Sequence, residues 1–172
     1  MRWIWQEHRR RTSRNSSHTA LSLKSTMKSK LTHNGDEKTY ALIFETGDEA
    51  LSELQKFAQE YRLGASRLSG IGAFSDVRLG FFDWRTKDYR PISLDEQVEV
   101  LSFVGDIALE NDEPKVHVHL VVGKADGSAW GGHLMEGHVR PTLEIMVIES
   151  PRHLRRRLDP ESGLPLIELD AA

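Results

Sequence analysis

Three histidines are the residues of this chain best placed to do chemistry. His117 and His119 stand two apart in KVHVHLVVG, and His133 follows Gly131 and Gly132 in AWGGHLMEG. Residues two apart on a strand point to one face. His117 and His119 therefore leave one side together, while Val116, Val118, Leu120 and Val122 leave the other and suit a buried core. The intervening turn decides where His133 goes. Ala125-Asp126-Gly127 fits a three-residue hairpin loop with Gly127 in the left-handed well as a G1 bulge. That register pairs Lys124 with Ser128, His119 with His133 and His117 with Met135, and so brings three imidazoles to one face. A two-residue Asp126-Gly127 turn would instead pair Ala125 with Ser128 and send His133 to the face of Leu120. The three-residue loop is preferred, because an apolar face then has no histidine to accept.

Three imidazoles without a cysteine anywhere in the chain suit a divalent transition metal, zinc first among them. Three protein ligands leave a position for water or a small ligand, which is the arrangement of a reactive zinc and not of a closed structural one. Such a site could support a hydrolytic reaction. Gly131 and Gly132 read as space left for the ion and its fourth ligand. The plainer reading makes the histidines ordinary hydrogen-bonded strand residues; the His-x-His pair with a third partner in register favours the metal. Glu144, in PTLEIMVIE, is an acid on a strand that reads as buried on both faces. It is a candidate general base, or an acceptor orienting a ligating imidazole. Its plainer role is a salt bridge at a subunit surface, for example to Arg140.

Around these residues the pattern predicts a small mixed set of elements. TYALIFE (Thr39 to Glu45) reads as a first strand. Thr46 and Glu49 read as a capping box before a helix with Leu51, Leu54, Phe57, Ala58 and Tyr61 on one stripe, closed by Gly64. Ala65 to Phe74 and Val77 to Asp83 read as two strands about Gly70, Gly72, Ser75 and Asp76, with the glycines marking a bulge or a close backbone approach. Arg67 and Arg78 fit either a site or solvated strand faces, the latter preferred, and Phe81, Phe82 and Trp84 fall in core or interface. Gln97 to Leu109 is a strand pair or one bent strand interrupted at Gly105. Arg140-Pro141 separates the histidine hairpin from a last strand, Thr142 to Glu149. Beyond it, Arg152, Arg155, Arg156 and Arg157 read as a solvated charge run.

At 172 residues the chain suggests one domain. No apolar run is long enough to span a bilayer, so no membrane partner is expected. The lack of cysteine excludes disulfides and thiolate metal sites, and suits a reducing, cytoplasmic setting. Charge is unevenly spread. Residues 1–33 carry eight Lys/Arg and one acid, leaving fifteen bases against twenty-five acids in the remainder, a net of −10. A domain that acidic is poorly suited to gripping phosphate backbones. The leader, 1–33, is rich in Arg, Ser and Thr without a period and reads as disordered. It fits a nucleic-acid arm, an organelle presequence or an upstream extension before a start at Met27; the last is preferred.

GIGAFSDVRLGFFD, VEVLSFVGDIAL, HVHLVVGKADGSAWGGHLMEG and PTLEIMVIE, in that order, resemble the plants-and-prokaryotes-conserved (PPC) domain family, also described as a domain of unknown function and as PD1-like DNA-binding. The resemblance covers about Lys38 to Glu149, with DPESGLPLI similar to the tail of prokaryotic members, so that the domain is placed at 38–168. It implies an α+β fold: a mostly antiparallel sheet of about seven strands packed with one main helix, assembled as a homotrimer. It also implies zinc on the His-x-His and Gly-Gly-His motifs, here His117, His119 and His133. Plant members carry separate Arg-Gly-Arg-Pro hooks for A·T-rich DNA. HRRRTSRN has neither the glycine nor the proline, so DNA ranks below a metal-bound small ligand as the expected partner.

Overall fold

The structure is a computed structural model that describes residues 27–169. Alternating apolar residues build its inner strands. In chain order the strands are β1 Lys28–Asn34, β2 Lys38–Glu45, β3 Ala65–Asp83, β4 Asp88–Leu94, β5 Val98–Glu110, β6 Glu113–Gly123, β7 Ala129–Glu149, β8 Arg155–Leu158 and β9 Pro165–Glu168, with one helix, α1 Ala50–Glu60, after β2. One sheet takes all nine strands in the order β1-β2-β7-β3-β5-β8-β9, with β4 on β3 and β6 paired to both β5 and β7. The pairings β3–β5, β5–β6, β6–β7 and β7–β3 therefore form a closed circuit. Its inward side holds Phe74, Phe103, Leu79, Leu120 and Leu134, all buried, and α1 adds Leu54, Phe57 and Ala58. Burying a Leu or Phe contributes about 1.5–3 kcal/mol, so this core is what holds the strands in register.

Several expectations are corrected. The sheet has nine strands and is mixed, because β8 pairs parallel with β5, Leu109 opposite Arg155 and Glu110 opposite Arg156. Residues 28–33, read as part of the leader, belong to β1; every residue of that strand is exposed, so no alternation betrayed it. Residues 1–26 of the leader lie outside the described residues. Helix α1 is capped by Glu49, whose carboxylate accepts from the Leu51 and Ser52 amides. Thr46 instead donates to the Pro141 carbonyl, so there is no Thr46–Glu49 capping box. At the other end Tyr61 is the cap and Arg62, with φ +52°, makes the left-handed turn expected at Gly64. The two strands about Gly70 and Gly72 are one, β3, and Arg140-Pro141 lies inside β7 without ending it. Gly105 does not interrupt β5 either. Phe81 and Trp84 are more than half exposed, so neither is core.

Candidate metal centre

The hairpin of β6 and β7 has the three-residue loop. The Lys124 amide donates to the Ser128 carbonyl, the Gly127 amide to the Lys124 carbonyl, and Gly127 has φ +82°. Asp126 braces the turn by accepting from the Ser128 amide and hydroxyl. This register sets His119 opposite His133. It stops there: His117 pairs with Asp106 of β5 and not with Met135, because β7 leaves β6 after His133 to run along β3, with Leu134 opposite Leu79. A cavity of about 470 Å³ lies beside α1, with His117, His133, Tyr89, Arg156, Leu51 and Val118 among the residues that line it.

The three rings nevertheless converge. His117 Nε2 and His119 Nε2 are 3.2 Å apart, and ring centroids of His117, His119 and His133 lie 5.0 to 5.5 Å from one another. One ligand nitrogen from each falls within 4.8 Å of the others. Nitrogens about 2.0–2.1 Å from a tetrahedral zinc stand roughly 3.3 Å apart, which the His117–His119 pair already matches. His133 offers the third nitrogen, within 4.8 Å of the other two. Its Nδ1 is buried without a hydrogen-bond partner, a costly state for a polar atom that a ligand contact or an altered rotamer would relieve. The ring lies against Tyr89, 4.8 Å between centroids. Burial, with His117 and His119 nearby, pushes its pKa down to about 4; burial and His117 also lower that of His119. Both rings are therefore neutral at pH 7, with a lone pair free to donate. The donor set fits a divalent ion with nitrogen preference.

Gly131 and Gly132, expected to leave space for the ion and its fourth ligand, lie against neighbouring backbone. A Cβ on Gly132 would lie 2.8 Å from the Gly80 carbonyl oxygen, and one on Gly131 would lie 3.1 Å from that of Leu120. Both bare backbones allow a neighbouring strand to approach closely. Glu144 is placed elsewhere. It pairs with Ile43 and Ile71, is exposed, and belongs neither to the histidine group nor to the cavity wall. Its strand is buried on one face only: Leu143, Ile145 and Val147 point inward, while Glu144 and Met146 are open.

Asp106 and Arg156 escaped the sequence. Asp106 sits across from His117, its Oδ2 3.7 Å from His117 Nδ1. Its other oxygen pairs with Arg156 Nη2, and the arginine side chain is 6 % exposed. Burial raises the Asp106 pKa, but His117 and Arg156 together outweigh that and hold it below the usual range. Asp106 could have been found by pairing VEVLSFVGD against the histidine strand; nothing in RHLRRRL marks Arg156 from its neighbours.

Comparison with known proteins places these features. The Plants and Prokaryotes Conserved (PCC) domain profile matches residues 32–151. The "Bifunctional protein GlmU" of Synechococcus sp. (strain JA-3-3Ab) is 34% identical over 132 residues, 75% of this chain and 20% of that protein. The chain thus spans about a fifth of the length of that curated relative. Among solved structures, a plant- and prokaryote-conserved (PPC) protein of Pyrococcus horikoshii has a TM-score of 0.72 and 29% identity, over 84% of this chain and 97% of its own. A metal-containing protein of Archaeoglobus fulgidus has a TM-score of 0.71 and 28% identity, over 81% and 97%. A provisionally assigned DNA-binding protein of Bacteroides thetaiotaomicron has a TM-score of 0.76 and 26% identity, over 83% and 99%. With the profile covering well over half of its length, this chain belongs to the Plants and Prokaryotes Conserved (PCC) domain family.

Proposed function

We propose that this domain holds one zinc ion on His117, His119 and His133 and presents its open position to a small ligand. The observation that carries the reading is the meeting of three ring nitrogens within 4.8 Å, two of them at tetrahedral spacing. When bound, the ion supplies Lewis acidity at a position that the protein leaves free. The chain's own residues do the rest. The hairpin register aims the rings, Tyr89 backs His133, and the cavity beside α1 offers an entry lined by apolar side chains such as Leu51 and Leu166 together with the charged Glu49, Glu110 and Lys115. That a structural relative is described as metal-containing supports the same reading. Metal analysis of untagged protein prepared without chelator should find about one zinc per chain, lost in His117→Ala and His133→Ala. Protein that folds normally yet carries less than a tenth of an equivalent would overturn the proposal.

The assembly proposed is a homotrimer. Cross-strand neighbours Met146, Ser69, Val104 and His119 form one row over the outer face of the sheet. Met146 and Val104 in that row are 41% and 52% exposed, and Ile71 nearby is 63% exposed. An apolar band of this kind favours coverage by further copies of the chain, and it would bring His119 to the edge of the interface.

DNA association is the second reading, supported by the description of the Bacteroides relative and by the basic leader. The net −10 of residues 34–172 weighs against it. Because β1 begins at Lys28, the informative truncation starts at Met27. Steep salt dependence present in the full chain and lost in that truncation would favour DNA; equally weak binding by both would remove it.

A further inference from the structure

We infer that Arg156 restrains Asp106 from supporting His117, so that removing the arginine tightens metal binding. The inference rests on the three-histidine reading above and concerns a segment beyond the family-matched residues 32–151.

The β5–β6 register puts Asp106 directly opposite His117. His117 turns Nε2 toward His119, so a metal bound there leaves the ring proton on Nδ1, facing the carboxylate. A carboxylate that accepts this proton fixes the ring and raises its basicity, which strengthens the metal bond. Here the acceptor is held back. Asp106 Oδ2 stands 3.7 Å from His117 Nδ1, too far for a hydrogen bond, while Oδ1 is ion-paired with Arg156 Nη2. The same Nη2 lies 3.5 Å from His117 Nδ1. With the ligating tautomer in place, that contact sets one donor against another and brings a cation close behind a ring that must hold a dication.

The guanidinium is fixed in this position by the tail. Strand β8 pairs parallel with β5 at Leu109 and Glu110, and the Leu109 amide donates to the Leu154 carbonyl at 2.8 Å. Arg156 Nη1 donates to the Pro165 carbonyl of β9, and Nε is sealed without a partner. A side chain serving merely to rivet the tail would predict the opposite effect, because its loss would loosen the wall behind His117 and weaken the site.

Cobalt(II), whose visible bands report tetrahedral nitrogen coordination, can be titrated against a competing chelator into the full-length wild type, Arg156→Met, Arg156→Lys and Asp106→Asn. The expected affinity rises about tenfold in Arg156→Met, falls about tenfold in Asp106→Asn, which leaves the Arg156 cation behind His117 without its counter-charge, and stays within a few-fold of wild type in Arg156→Lys, which keeps the cation. Unchanged or weaker binding in Arg156→Met, with one cobalt still bound by wild type, overturns this inference and leaves the three-histidine reading standing. Should Arg156→Met fail to fold, Asp106→Asn decides, and an unaltered affinity there overturns it. A wild type that takes up no cobalt removes both.

Discussion

A histidine pressed against a tyrosine ring and shielded from water gives up its proton more readily than one in solution. His133 is that residue, with a pKa of about 4 against an ordinary 6.5. The unfolded chain therefore binds a proton that the metal-free fold refuses, so the stability tied to His133 is full above about pH 6.5. It declines progressively as pH falls toward 4. Metal-free protein should show a falling melting temperature through that window, and His133→Gln should flatten the slope. His138 works in the opposite sense. Its Nδ1 lies 2.7 Å from Asp76 Oδ1, and that hydrogen bond raises its pKa. Its contribution is complete below the unfolded value and is lost as pH rises through the folded one. Asp76→Asn should therefore lower stability more at pH 5 than at pH 9 in thermal melts.

At the scale of elements, the site depends on strands that approach more closely than side chains allow. Gly105 faces the His117 carbonyl oxygen, where a Cβ would sit 2.2 Å away, and Gly132 faces that of Gly80 at 2.8 Å. Gly132→Ala should cost about 1–3 kcal/mol in urea denaturation, and Gly105→Ala more, since the obstacle is backbone and has little room to yield. The hairpin itself was legible in the sequence because a turn of known chemistry connects two runs of period two, and one register satisfied both. Glu144 was misplaced because PTLEIMVIE is apolar at nearly every position; the open face of that strand becomes visible only when its neighbours are known. Glu49 as helix cap and Arg156 as a buried partner were hidden for a related reason. Each is chosen by a residue far away in sequence: the Gly137 amide donates to the Glu49 carboxylate, and Asp106 pairs with Arg156.

At the scale of the molecule, the closed circuit of β3, β5, β6 and β7 leaves one face of the sheet uncovered, and that face carries both apolar side chains and His119. No helix among the described residues is long and apolar enough to cross a membrane. The homotrimer proposed above predicts a light-scattering mass of three chains. Ile71→Glu or Val104→Glu should shift that mass to one chain, since a buried unpaired charge costs several kcal/mol at each contact. A monomeric wild type would contradict it. The overlap of His119 with this face predicts that monomeric variants hold metal less tightly than the trimer, measured by chelator competition at fixed protein concentration.

The zinc site is tested most directly by a crystal structure of untagged protein with diffraction recorded on both sides of the zinc absorption edge. Three histidine ligands require an anomalous peak about 2.0–2.1 Å from nitrogens of His117, His119 and His133, with a fourth position left open. Clear density for three rings with no peak between them, or a His133 ring turned away from the other two, would contradict the zinc site.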